Sequence, residues 1–156
     1  MKRGLKDEIK QQKPFSSVEE AVFLNLQRTA DAFMRGFEET LKPFGLTQTQ
    51  YIVLRILRGA GPQGLLCREL GKRMITRDPD VTRLLDRLET RALVARARDP
   101  KDRRAIFTRI TEKGLQLLED LAKPVAEVHR RQLEHLKKKQ ARRLIDLLET
   151  ARRGEA

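Results

Sequence analysis

Between residues 81 and 111 the apolar pattern changes period, and this change restricts the possible folds more than any other feature of the chain. Val81, Leu84, Leu85 and Leu88 recur at i, i+3, i+4 and i+7, the spacing of one buried stripe on an α-helix. From Leu93 the repeat shortens to two, most clearly at Ile106, Thr108 and Ile110. Residues 93–98 and 105–111 therefore read as two strands. The polar run Asp99-Pro100-Lys101-Asp102-Arg103-Arg104 joins them as a turn. Ahead of the helix, Asp78-Pro79 reads as a capping residue with proline at the first helical position.

Upstream, the chain marks its helices by their ends. Ser16 and Ser17 each precede a glutamate by three residues, Glu19 and Glu20, giving two overlapping capping-box signals. Val22, Leu26, Phe33, Phe37 and Leu41 then hold helical spacing for about 25 residues, until Pro43 and Gly45. Thr47 and Gln50 form a further capping box, with Leu46 placed to staple onto Tyr51. That helix runs through Leu57 and breaks in a glycine- and proline-rich stretch; a short helix over residues 66–74 follows. Helix, short helix, helix and hairpin in this order describe a winged helix-turn-helix. Thr111 can cap another helix with a stripe at Leu118, Leu121, Val125 and Val128, and a last helix carries Ala141, Leu144, Ile145 and Leu148.

The fold class is thus mainly α with a small β-hairpin wing. Residues 1–45 form a tail, with residues 1–15 expected to fray, and a dimerisation helix; 46–111 form the winged lobe; 112–156 form C-terminal dimerisation helices of the same intertwined domain. The long flanking helices carry more apolar stripe than a small lobe can cover, and a second copy would bury it.

Charge says what such a lobe could bind. The chain carries 34 Lys+Arg against 22 Asp+Glu, a net +12. Residues 47–114 hold 16 basic and 8 acidic groups, a net +8, and 13 of those 16 are arginine. The arginine fork suits phosphates and guanine edges. Aromatic residues are only 4%, too few for a platform that stacks single-stranded bases. One cysteine and two histidines build no metal site, and no cofactor is expected. No nucleophile–base pair, paired carboxylates or phosphate-cradling glycine loop points to an enzyme. No apolar run approaches a membrane span or a signal peptide, so a cytoplasmic protein with no membrane role is expected.

On the helix after Asp78, Arg83, Arg87 and Arg91 line one exposed flank, with Asp86 and Glu89 on the other. A helix entering the major groove of double-stranded DNA reaches base edges with its N-terminal residues. This selects Arg77, Asp80, Thr82 and Arg83 for contact, while Arg87 and Arg91 meet phosphates or structural carboxylates. At the hairpin tip, Arg103 and Arg104 can enter a minor groove. Arg98 and Lys101 add attraction to phosphate whatever the sequence. Asp102 would repel phosphate, so it reads as a residue that positions an arginine.

These residues together resemble the multiple antibiotic resistance regulator (MarR) family of bacterial winged-helix regulators. The matching segments are Leu46-Thr47 with Gln50, the run from Val81 to Glu89, Arg91 with Leu93-Val94 and Arg96, the turn from Asp99 to Arg104, and Ile110-Thr111 with Lys113-Gly114. The resemblance implies a homodimer placing two lobes on a pseudo-palindromic operator. It implies that the wing arginine is Arg104 and its positioning aspartate Asp102. It also implies a cleft for a small-molecule effector, often a phenolic or other aromatic acid, whose binding releases a repressor from DNA. The alternative is an architectural protein that coats DNA without sequence choice.

Two departures from the family pattern stand out. Ala92 replaces a usual glycine before Leu93-Val94, which suggests a slightly different turn there. Asp78 and Asp80 put two acids at the start of the reading helix; Asp80 could accept from a cytosine or brace Arg83. Tyr51, Arg28, Phe33 and His129 are residues that could face an effector cleft, though no ligand is assigned. Cys67 lies near Arg68 and Arg73 and reads as a small packing residue.

Overall fold

The computed structural model describes residues 4–75, 80–99, 102 and 105–154. The chain begins with a single helical turn, α1 (Leu5–Glu8), which buries Leu5. This corrects the expectation of a frayed tail over that stretch. One apolar side chain with a place to pack, together with the Gly4 N–H donating to Asp7 Oδ2 at 3.2 Å, is enough to order it. The long helix α2 (Val18–Leu41) starts at Ser17, whose Oγ accepts from the Glu20 N–H at 3.1 Å. The Glu20 carboxylate accepts from both the backbone N–H and the hydroxyl of Ser16, each at 2.6 Å, so the two overlapping signals act as one cap.

A 3-10 turn at Lys42–Phe44 ends in Gly45, at φ +64°. Helix α3 (Gln48–Ala60) then opens on the expected capping box: Thr47 Oγ1 accepts from the Gln50 N–H at 3.2 Å, and Gln50 Oε1 accepts from the Thr47 N–H at 3.0 Å. It is the central helix of the lobe, and Val53, Leu54 and Leu57 are fully buried. Strand β1 (Leu65–Leu66), helix α4 (Cys67–Arg73), helix α5 (Val81–Thr90), and strands β2 (Val94–Arg98) and β3 (Ile106–Ile110) follow.

The sheet has the order β1-β3-β2, antiparallel throughout. Register runs from Val94 opposite Ile110 to Arg98 opposite Ile106, with Leu65 opposite Thr108 on the other side of β3. The sequence predicts the hairpin but not β1, since two residues show no alternation. Gly64 makes that third strand possible. It sits at φ +72°, and a Cβ there would lie 2.2 Å from the Thr108 carbonyl oxygen.

Helix α6 (Glu112–Leu133) is capped by Thr111, whose Oγ1 accepts from the Gly114 N–H at 3.1 Å, and continues unbroken through Pro124. Helix α7 (Lys138–Arg153) buries no residue. One apolar cluster joins Phe37 and Leu41 of α2, the inner faces of α3, α4 and α5, and Leu118, Leu121, Val125 and Val128 of α6. The N-terminal half of α2 and the whole of α7 stand outside it. Val18, Val22, Phe23, Ile145 and Leu147 are all exposed. Among the described residues, no helix is long and apolar enough to cross a membrane.

The turn after α5 also departs from expectation. Ala92 has φ +57°, so the turn keeps the left-handed geometry that a glycine would adopt without strain. Two bonds fix it there: the Ala92 N–H donates to Glu89 O at 2.7 Å, and the Ala92 carbonyl accepts from Thr111 Oγ1 at 2.7 Å.

Candidate nucleic-acid interface

Helix α5 has one face in the core and one in solvent. Leu84, Leu85 and Leu88 are buried, while Thr82, Arg83 and Arg87 are exposed. The cap is Asp80, not Asp78: its Oδ1 accepts from the Arg83 N–H at 3.0 Å and the helix begins at Val81. Aspartate caps well at either position, and the proline that follows Asp78 drew the expected start there. Asp78 and Pro79 lie outside the described residues, as does Arg77. The second Asp80 oxygen sits 3.2 Å from Arg83 Nε, so Asp80 braces the arginine as well as capping the helix. Arg83 remains 73% exposed at its side chain.

The stripe of three arginines divides in function. Arg87 is exposed and makes no ion pair among the described residues. Arg91 is structural. Its Nη1 donates to Gly45 O at 2.5 Å and its Nη2 to Phe44 O at 3.0 Å, tying the end of α5 to the turn between α2 and α3. Its partners are therefore carbonyls, not the phosphates or carboxylates expected of it.

The opposite flank of α5 holds a feature that the sequence reading missed. Arg96, in the middle of β2, lies between Asp86 and Glu89. Its Nη2 is 2.5 Å from Asp86 Oδ1 and 2.5 Å from Glu89 Oε2, and its Nε donates to Glu89 Oε2 at 2.8 Å. The Arg96 backbone N–H donates to the other Glu89 oxygen at 3.1 Å. The guanidinium hydrogen bonds hold the Glu89 carboxyl below its usual range, and the two carboxylates raise Arg96. Two acids three residues apart on one helix flank, with an arginine seven residues further on in a strand, are the signal that could have revealed it.

The wing leaves this anchor as β2 and β3. Arg98 is exposed at the distal end of β2, and Arg109 is exposed on β3 opposite Ala95. The turn is closed by the Asp99 N–H donating to Ala105 O and the Ala105 N–H donating to Asp102 O, each at 2.9 Å. Asp102 is exposed. Lys101, Arg103 and Arg104 lie outside the described residues.

A second feature lies behind this face. A cavity of about 220 Å³ between α2, α3 and α6 is lined by Phe33, Phe37, Tyr51, Arg55 and His129 among others. The Phe37 ring lies 5.4 Å from both Tyr51, edge-on at 76°, and His129, stacked at 21°. Arg55 sits 5.8 Å over the Tyr51 ring. Three of the four residues considered for an effector cleft thus meet in one cavity. Arg28 does not join them; its Nε is 3.5 Å from Glu8 Oε2. Cys67 is half-buried and packs against the core, bordering a separate pocket toward the tip end of the wing, lined also by Asp102, Ala105 and Ile106.

Comparison with known proteins places this arrangement. A profile of the MarR family matches residues 44–105, from the turn before α3 into the wing. The HTH-type transcriptional regulator YkoM of Bacillus subtilis is 33% identical over 102 residues, covering 63% of this chain and 65% of that protein. A crystal structure of a MarR transcription factor from Planctomyces limnophilus is 40% identical with a TM-score of 0.69, covering 88% of this chain and 99% of that one. The structure of CouR from Rhodococcus jostii bound to p-coumaroyl-CoA is 27% identical with a TM-score of 0.73, covering 88% and 95%.

Proposed function

The chain belongs to the MarR family, and from that premise we propose that it is a dimeric, sequence-specific regulator of transcription that binds a pseudo-palindromic operator. The observation that carries this reading is the split face of α5. Its leucines are in the core, and Thr82, Arg83 and Arg87 project into solvent beside an arginine-bearing hairpin. In this reading the N-terminal half of α5 enters the major groove, where Asp80 holds Arg83 toward a base edge and Arg87 meets phosphate. Arg98 and Lys101 meet phosphates, Arg103 and Arg104 reach a minor groove, and Asp102 orients an arginine at the tip. Arg77, just before the helix, adds a further contact.

The exposed apolar side chains of α2 and α7 support the dimer, with residues 1–45 and 112–156 supplying the interface and 46–111 the DNA-binding lobe. Two lobes related by a two-fold axis match two half-sites about one helical turn apart. The protein acts in the cytoplasm as a repressor and performs no catalysis. The cavity lined by Phe33, Phe37, Tyr51 and His129 supports release by an aromatic effector. Its apolar walls and the Arg55 cation suit a ring bearing an anionic group, and CouR carries a coumaroyl ligand.

Selection from a random duplex pool, followed by binding at several salt concentrations, tests the reading. It expects enrichment of an inverted repeat. Steep salt dependence without an enriched site would replace it with the architectural alternative, since counterion release alone is blind to sequence.

A further inference from the structure

Asp86 and Glu89 are an electrostatic problem for a helix that approaches DNA, because both carboxylates would repel phosphate. The geometry resolves it. We propose that Arg96, held by Glu89 and Asp86, is a positioning residue that sets the angle at which the wing leaves the reading helix, and thereby places the wing on DNA. This rests on the DNA-binding reading above.

The argument starts from where the ties lie. The other described bonds joining the end of α5 and the hairpin all sit at the hairpin's base. The Leu93 N–H donates to Leu88 O at 3.0 Å, the Thr111 N–H to Leu93 O at 3.1 Å, and Lys113 Nζ to Arg91 O at 3.0 Å. Arg96 is two residues further toward the tip than Val94, where the hairpin pairing begins. There it is bonded to Glu89 through both its backbone N–H and its guanidinium, and to Asp86 as well.

A fork held by two carboxylates and its own backbone has little freedom to rotate. Strand β1 holds β3 as far as Phe107, but β2 is the outer strand of the sheet, and beyond its base Arg96 is its described tie to α5. Alternation puts Arg98 on the same side of β2 as Arg96, so fixing one fixes the direction of the other. The Arg96 side chain is 24% exposed, which leaves it bound within the lobe and unavailable to DNA.

The sign of one substitution separates this role from simple charge. Glu89→Gln removes a negative charge beside a polyanion, so field effects alone tighten binding. If Glu89 acts by holding Arg96, the same change releases the wing and weakens binding. The experiment measures affinity and salt slope on the duplex enriched by selection, for Glu89→Gln in the native chain and in an Arg96→Met background. The proposal expects Glu89→Gln to weaken binding roughly three- to tenfold in the native chain, with a shallower slope as wing phosphate contacts are lost. It expects the same change to tighten binding, about twofold, once Arg96 is gone.

Tighter or unchanged binding in the native chain would overturn the proposal. So would weaker binding in both backgrounds, because Glu89 would then act without Arg96. Thermal unfolding checks that each variant is folded. Arg96→Lys, which keeps the charge and loses the fork, supplies a second route: it should weaken binding with a shallower slope, and native affinity would count against the proposal. A native chain that enriches no duplex would refute the sequence-specific reading on which this proposal rests, which is a different result from any of these.

Discussion

Ala92 is the residue whose conformation most clearly costs the protein stability. It holds φ +57° because the Glu89 carbonyl and Thr111 hydroxyl bond its backbone there, and an L side chain in that region is disfavoured by about 1–2 kcal/mol. Ala92→Gly relieves the strain and gives back part of the gain as unfolded-chain entropy, so a net stabilisation of about 0.5–1 kcal/mol is expected. Urea denaturation reads it as a higher midpoint at an unchanged slope; a lower midpoint would show that the turn tolerates alanine freely. Thr108 is a second such residue. It is fully buried in the middle strand, and its Oγ1 has no hydrogen-bond partner among the described residues. Thr108→Val keeps the shape and removes the orphaned hydroxyl, and should stabilise the lobe by about 1 kcal/mol. The same denaturation experiment would contradict this by showing a loss.

At the scale of elements, the joint between α5 and β2 makes stability depend on acid. Hydrogen bonds from Arg96 lower the Glu89 carboxyl in the folded state relative to the unfolded chain. The stabilisation is therefore fully present above the usual carboxylate range and is lost as pH falls through the lowered folded value. Between neutral pH and pH about 3, the native chain should lose more thermal stability than Glu89→Gln. Parallel curves would mean that the ion cluster contributes nothing. This joint also marks where sequence reading stopped. The capping box at Thr47 and Gln50, the stripe of α5 and the two strands of the hairpin follow from local spacing, and all were legible. The Arg96 cluster joins two elements with different periods, so neither pattern contains it. Strand β1 escaped because two residues cannot display alternation, although Gly64 marked a special backbone position. Arg91 looked like one of a row of surface arginines, because the turn carbonyls that bind it lie more than 40 residues away in the chain. Of the expected DNA-contacting set, Thr82, Arg83, Arg87 and Arg98 do stand exposed, on α5 and at the end of β2.

At the scale of the molecule, the apolar surface is distributed unevenly. α7 buries nothing, yet carries exposed Leu144, Ile145 and Leu147, and the first turns of α2 expose Val18, Val22 and Phe23. The dimer reading expects a sedimenting species of twice the 18.1 kDa chain. It also expects Ile145→Asp to shift that species toward the single chain while the lobe, whose core excludes α7, stays folded. A native species near 18.1 kDa would refute it. On the dimer reading two copies of α5 meet one duplex, and the central claim is that the exposed arginine near each α5 N-terminus reads a base. The most direct test compares the sites selected by the native chain and by Arg83→Ala. The account expects an inverted repeat from the native chain, and from the variant a site relaxed at one position in each half, at a cost of about 1–3 kcal/mol there. An identical site preference from both proteins would contradict it.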